Sequence, residues 1–114
     1  MSTIPTPTLF AVPSAVIDQL PWQPMPGCDG IVNKVVYSDD RVVAGLLRLR
    51  PAARESAHLH EHGQHHVWVL EGTVTIDETE LPKGSFLHVP EQLVHAMSDS
   101  GAGSLLFYLY QRDL

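Results

Sequence analysis

At 114 residues the chain has the length of one domain with a single hydrophobic core, and its 44% hydrophobic, 18% charged composition is ordinary for a globular protein. The formal net charge of −6, with Lys34 and Lys83 the only lysines, offers no basic patch and argues against nucleic-acid binding. Cys28 stands alone, which excludes an internal disulfide framework and suits a reducing compartment. No run approaches the roughly 18 apolar residues of a membrane span. The N-terminal stretch lacks a basic segment and is broken by Pro5, Pro7 and Pro13, so no signal peptide and a cytoplasmic location are expected.

Residues 1–29 hold six of the nine prolines (Pro5, Pro7, Pro13, Pro21, Pro24 and Pro26). Proline lacks an N–H and restricts the residue before it, so the stretch reads as an extended arm with one short turn at Ser14–Gln19. Its apolar residues, among them Leu9, Phe10, Ile17 and Trp22, are too many for a free linker. The arm is expected to pack on the domain that follows or on a partner subunit. From residue 30 to 114 the pattern is one of short β-rich runs between turns: IVNKVVY, RVVAGLLRLR, HHVWVLEG, TVTID, GSFLHVP, LVHAMS and SLLFYLY. With no helical period between them, these argue for a single all-β sandwich or barrel. Arg48 and Arg50 alternate with Leu47 and Leu49, which points the arginines away from the core.

Five of the seven histidines fall within Ala57–Gly72, AHLHEHGQHHVWVLEG. His58 and His60 are two apart and share a face if that segment is extended. A polar bend follows, and His65 opens the next strand, so a fold-back there brings three imidazoles together. Imidazole is the commonest protein ligand for transition metals, and the cluster reads as a metal site. In PEQLVHAMSD, His95 lies mid-strand with Leu93 and Met97 on its face and is the candidate fourth ligand. His62 is expected in solvent at the bend, and His66 on the face opposite His65 beside Trp68 and Leu70.

These spacings resemble the two motifs of the cupin family. The first family motif is Gly, five residues, His-x-His, three or four residues, Glu, six residues, Gly; here it is matched by Ala52, His58, His60, His65 and Gly72. The second is Gly, five residues, Pro-x-Gly, two residues, His, three residues, Asn, matched by Gly84, Pro90, Gln92, His95 and Asp99. Within the family, PAARES followed by HLH, together with GSFLHVP, is most similar to ChrR-type cupins, which include the metal-binding half of certain anti-sigma factors and small dioxygenases. The resemblance implies a double-stranded β-helix, or jelly-roll barrel, and a four-histidine site of His58, His60, His65 and His95 holding one divalent transition metal per chain. Iron or manganese is favoured, with zinc or nickel as alternatives. Ala52 and Gln92 replace family glycines and are expected to be tolerated through a local backbone change, and Asp99 replaces an Asn at a turn.

His65 at the family's carboxylate position is the consequential departure. Four neutral imidazoles leave a divalent ion its full charge, which favours anionic, bidentate oxygen ligands. The fold and site together point to an oxygenase of a small ketone, diketone or phenolic compound, which would bind through two oxygens and be attacked by O₂. The alternatives are a non-redox zinc or nickel isomerase, cyclase or lyase, and a non-catalytic metal-binding sensor. Glu55 and His88 are the candidates for proton transfer beside the metal, although His88 could equally sit on the surface. Val67, Val69 and Met97, with Phe86 or Leu87 and Phe107 or Leu106, are expected to form a small apolar substrate pocket. An outward face bearing Trp68 is expected to be a homodimer contact. No membrane partner is expected.

Overall fold

The computed structural model describes residues 6–55 and 63–112. Among the described residues, nine strands follow one short helix: α1 (Ser14–Gln19), β1 (Gln23–Pro24), β2 (Ile31–Ser38), β3 (Val42–Leu49), β4 (Gly63–Glu71), β5 (Thr73–Ile76), β6 (Thr79–Pro82), β7 (Phe86–Val89), β8 (Met97–Asp99) and β9 (Ser104–Arg112). They form a six-stranded sheet in the order β1-β2-β3-β9-β4-β7 and a three-stranded sheet in the order β6-β5-β8, and every pair of strands is antiparallel. β9 crosses the whole chain to pair with both β3 and β4, a non-consecutive connection that a sandwich of this kind requires. This is the jelly-roll barrel expected from the sequence.

Alternation along the strands builds the core. Ile31, Leu49, Val67, Val69, Val74, Met97, Leu106 and Tyr108 form one buried cluster, and Leu49, Val69, Val74 and Leu106 are fully enclosed. In β3, β9 and the first part of β4, alternate side chains turn to this interior, and register shifts interrupt the pattern between Val35 and Tyr37 and between Val69 and Glu71. The turn between β2 and β3 is closed by Asp39, whose carboxylate accepts the Arg41 and Val42 N–H groups at 2.7 and 2.8 Å. Asp99 does the same at the other end of the barrel. Its Oδ2 accepts the N–H groups of Ala52, Gly101 and Gly103 at 2.8–3.0 Å, confirming the turn role expected for it.

The proline-rich segment lies along the outside of the larger sheet. Lys34, on the outward face of β2, is 4% exposed and donates from Nζ to the Ile17 carbonyl at 2.9 Å. Its ammonium stands 4.4 Å from the Trp22 ring centroid, and the Arg48 guanidinium stands 5.3 Å from the same ring. Phe10 packs on Tyr37 with ring centroids 5.1 Å apart. The outward direction of Arg48 agrees with its alternation in the sequence.

Two local expectations change. Ala52 and Gln92 do not escape the glycine conformation by shifting the backbone. They adopt it, with φ of 63° and 64°. The LVHAMS run is strand only from Met97 onward. Leu93 and Val94 leave the Pro90–Gln92 turn in irregular backbone and are 44% and 59% exposed, so the period of two that placed Leu93 beside His95 does not yet apply.

Candidate metal centre and its cavity

Two walls converge on one cavity. From the larger sheet come Leu47 of β3, His65 and Val67 of β4, Leu87 and Val89 of β7 and Tyr108 of β9; from the opposite side come Glu55, Ile76, His95 and Met97, with Met25 at the edge. The volume of this inner pocket is about 70 Å³. A wider outer chamber of about 280 Å³ adjoins it, sharing Met25, Leu47, His65 and Tyr108 with it and adding Asn33, Val43 and Tyr110. Nearly all of this lining is apolar or aromatic.

His65 and His95 face each other across the inner pocket with ring centroids 6.5 Å apart and planes at 81°. With metal–nitrogen bonds of about 2.0–2.1 Å, two imidazoles on one ion have centroids no more than roughly 6.5 Å apart, so the pair lies at the upper end of that reach. His95 is 5% exposed, and its Nδ1 lies 3.0 Å from the Leu93 carbonyl oxygen. A carbonyl can only accept, so Nδ1 carries the proton and Nε2 is the acceptor nitrogen. That is the arrangement that orients a metal-binding imidazole. His65 is held between two aromatic rings, Tyr108 at 6.0 Å and Tyr110 at 4.9 Å, both edge-on. Two imidazoles at this separation are compatible with one ion held between them from opposite sides. His58 and His60 lie outside the described residues, among which no group of three or more metal-ligating side chains converges.

Glu55 reaches the cavity from the segment that runs against β8. Its N–H donates to the Met97 carbonyl at 2.9 Å, and its Oε1 accepts the Met97 N–H at 2.9 Å. That double link fixes a carboxylate in the wall of the pocket. His88 does not line the cavity. It stands on the outer face, stacked on His66 with centroids 5.0 Å apart, and its Nε2 is 2.6 Å from Gln64 Oε1. Phe86 and Phe107 also stand outside, packed on Trp68 at 4.9 and 5.7 Å. The register explains both placements: Trp68 pairs with Phe86 and with Phe107, and residues paired across a sheet share a face. Leu87 takes the inward place at the pocket and Leu106 the inward place in the core. Val67 and Met97 line the cavity, whereas Val69 is buried in the core.

The two tyrosines of β9 were not singled out in the sequence, although the alternation that sends Leu106 inward sends Tyr108 and Tyr110 inward too. Two glycines make room for them. A Cβ on Gly45, which pairs with Tyr108, would lie 2.9 Å from the Tyr108 hydroxyl and 2.5 Å from the Lys34 carbonyl oxygen. A Cβ on Gly63 would collide with the Tyr110 ring. Tyr108 thus extends across β3 to β2, where its hydroxyl donates to Asn33 Oδ1 at 2.7 Å. Burial raises the Tyr108 pKa, so the phenol stays protonated at neutral pH.

A family model described as the ChrR cupin-like domain matches residues 14–113. No curated protein matches the chain. Among solved structures, the polyketide cyclase RemF from Streptomyces resistomycificus is similar, with a TM-score of 0.77 and 17% identity over 94% of this chain and 86% of that one. KdgF from Halomonas sp. is similar with a TM-score of 0.73 and 21% identity over 85% and 90%. An RmlC-like cupin from Shewanella frigidimarina gives 0.71 and 21% over 83% and 86%. At these identities the solved structures speak for the fold alone. The barrel and the family match over all but the ends of the chain agree: this protein belongs to the ChrR cupin-like family.

Proposed function

We propose that the chain is a metal-dependent cupin enzyme in which His58, His60, His65 and His95 hold one divalent transition metal, iron or manganese before zinc or nickel, and that it oxygenates a small ketone, diketone or phenolic compound. The observation that carries the reading is the pairing of His65 and His95 across a small apolar pocket, with the His95 proton fixed on the nitrogen turned to a backbone carbonyl. When bound, the metal would supply Lewis acidity, and for iron or manganese a route to O₂. The protein's own contributions are separate from that. The apolar walls exclude water around the bound substrate. Glu55, pinned to the Met97 backbone, offers a carboxylate to take the acidic proton of a diketone or phenol. Tyr108 stays neutral and serves as a wall and hydrogen-bonding group instead of a base.

Oxygen uptake tests the reading. Protein loaded with ferrous iron is expected to consume O₂ with acetylacetone or catechol, and His95→Ala is expected to abolish it. Turnover of a carbonyl substrate without O₂ consumption would favour a non-redox cyclase, isomerase or lyase. The likeness in fold to a polyketide cyclase supports that second reading. Metal binding with no turnover of either kind would favour a sensor.

A further inference from the structure

The outer chamber is mostly apolar; besides His65 and Tyr110, its polar lining is gathered at one place. Asn33 and Tyr108 meet there, and their hydrogen bond has a definite sense: the Tyr108 hydroxyl donates and Asn33 Oδ1 accepts at 2.7 Å. That bond uses the acceptor end of the amide. What the pair then offers a ligand is the two N–H donors of Asn33 Nδ2 and the lone pairs of the Tyr108 oxygen. The arrangement is built into the backbone, since only a residue without a Cβ at position 45 lets the Tyr108 ring cross β3 to reach β2.

Position in the sheet sets the size of what could use it. Asn33 lies on β2 and His65 on β4, with β3 and β9 between them. Three strand spacings of about 4.8 Å separate the two backbones, and inward-pointing side chains shorten the gap. The outer chamber is itself lined by both His65 and Asn33, so one space borders the two. A ligand of three or four heavy atoms at the histidines would not reach Asn33, whereas a substituted six-membered ring would.

We infer that Asn33, held by Tyr108, is a specificity-determining residue that binds a carbonyl oxygen at the far end of a ring-sized substrate whose other end carries the metal-chelating oxygens. This rests on the metal-site reading above and deepens it: the substrate class is a phenolic ring with a distal carbonyl, in preference to a short diketone. The body of the ring lies against Leu47, Val43 and Met25, and the carbonyl accepts from Asn33 Nδ2. Both polar ends are needed for discrimination, because a site that hydrogen-bonds a ligand oxygen is left with unmatched donors when that oxygen is missing.

The test is calorimetric binding to zinc-loaded protein, which separates recognition from turnover. Catechol and 3,4-dihydroxyacetophenone are the probes; both chelate through adjacent oxygens, and only the second has a distal carbonyl. Their ratio of affinities is measured in wild type, Asn33→Leu, Asn33→Ser and Tyr108→Phe. Comparing ratios removes the intrinsic difference in chelating strength between the two probes. The expected result is a preference for the ketone that falls roughly tenfold in Asn33→Leu and Asn33→Ser with catechol binding unchanged in those two, and that falls by less in Tyr108→Phe. A ratio equal in wild type and both Asn33 variants overturns the inference and leaves the metal site standing. Failure of wild type to bind either probe overturns the metal-site reading itself, and the inference falls with it. Catechol affinity doubles as the folding control, and Asn33→Ser is the variant least able to disturb the barrel.

Discussion

His65 and His95 arrive at one cavity by different local means. His65 sits within a regular strand, where alternation with His66 decides its direction. His95 stands at an isolated β-bridge position two residues before β8, and its ring is set by the bond to the Leu93 carbonyl. Sequence spacing located both, but only the alternation argument gave a physical reason for the first. The same scale holds a cost that spacing revealed and geometry then specified. Ala52 and Gln92 carry left-handed φ values, a conformation that costs an L-residue about 1–2 kcal/mol and glycine nothing. Glycine also loses more entropy on folding, so Ala52→Gly and Gln92→Gly should each raise stability by no more than about 1 kcal/mol, read as a higher urea midpoint at unchanged slope. A lower midpoint in both would contradict the backbone assignment.

Asp99 gives a pH-dependent prediction. Burial acts to raise its pKa, but the N–H groups of Ala52, Gly101 and Gly103 overrule it, and the net shift is downward. A carboxylate with a lowered folded pKa contributes stability that is complete above its unfolded value of about 3.9 and is lost as pH falls through the folded value. Asp99→Asn keeps an acceptor oxygen but not the charge, and should cost about 1–3 kcal/mol at pH 7. The gap between wild type and variant should shrink when the denaturation is repeated near pH 3. An equal gap at both pH values would mean that the charge is not what holds the turn.

Among the elements, the longest strands were the most legible. Period-two alternation gives β3, β4 and β9 their faces, and the outward directions of Arg48 and His66 follow from it. Where the sequence reading left a choice between neighbours, Phe86 or Leu87 and Phe107 or Leu106, composition could not decide. Cross-strand register does, because it ties Phe86 and Phe107 to the outward Trp68. The seating of Tyr108 was hidden for another reason, since it depends on a missing Cβ at Gly45, on the strand between Tyr108 and Asn33. Gly45→Ala measures that dependence. The added methyl meets backbone at the Lys34 carbonyl, which cannot rotate aside, and overpacking of this kind costs about 1–3 kcal/mol. Thermal unfolding should show a clear loss for Gly45→Ala. An unchanged melting temperature would mean that β2 and β3 are free to separate.

Across the whole molecule, the larger sheet has two different outer halves. Over β2 and β3 the N-terminal segment is clamped by Lys34 and Trp22. Over β4 and β7 the described residues leave Trp68, Leu70 and Phe86 39%, 40% and 48% exposed. A contiguous apolar patch of this kind marks an interaction site, and we propose that a second copy of the chain covers it. Trp68→Glu is expected to convert a dimer to a soluble monomer in light-scattering chromatography, and an unaltered mass would sink the proposal. No helix among the described residues is long and apolar enough to cross a membrane. The barrel was legible because two motif spacings and the strand pattern pointed to one architecture. The proposed ligand set rests on residue types at those spacings, with His65 and His95 placed across the pocket and His58 and His60 outside the described residues.

Metal content tests the central proposal most directly. Tag-free wild-type protein, His60→Ala and His95→Ala, produced in minimal medium with a mixture of trace metals, would be compared by elemental analysis. The account predicts about one iron or manganese per wild-type chain, by the one-site stoichiometry of a mononuclear centre, and its loss in both variants. Metal-free wild-type protein, or variants that keep as much metal as wild type, would contradict it.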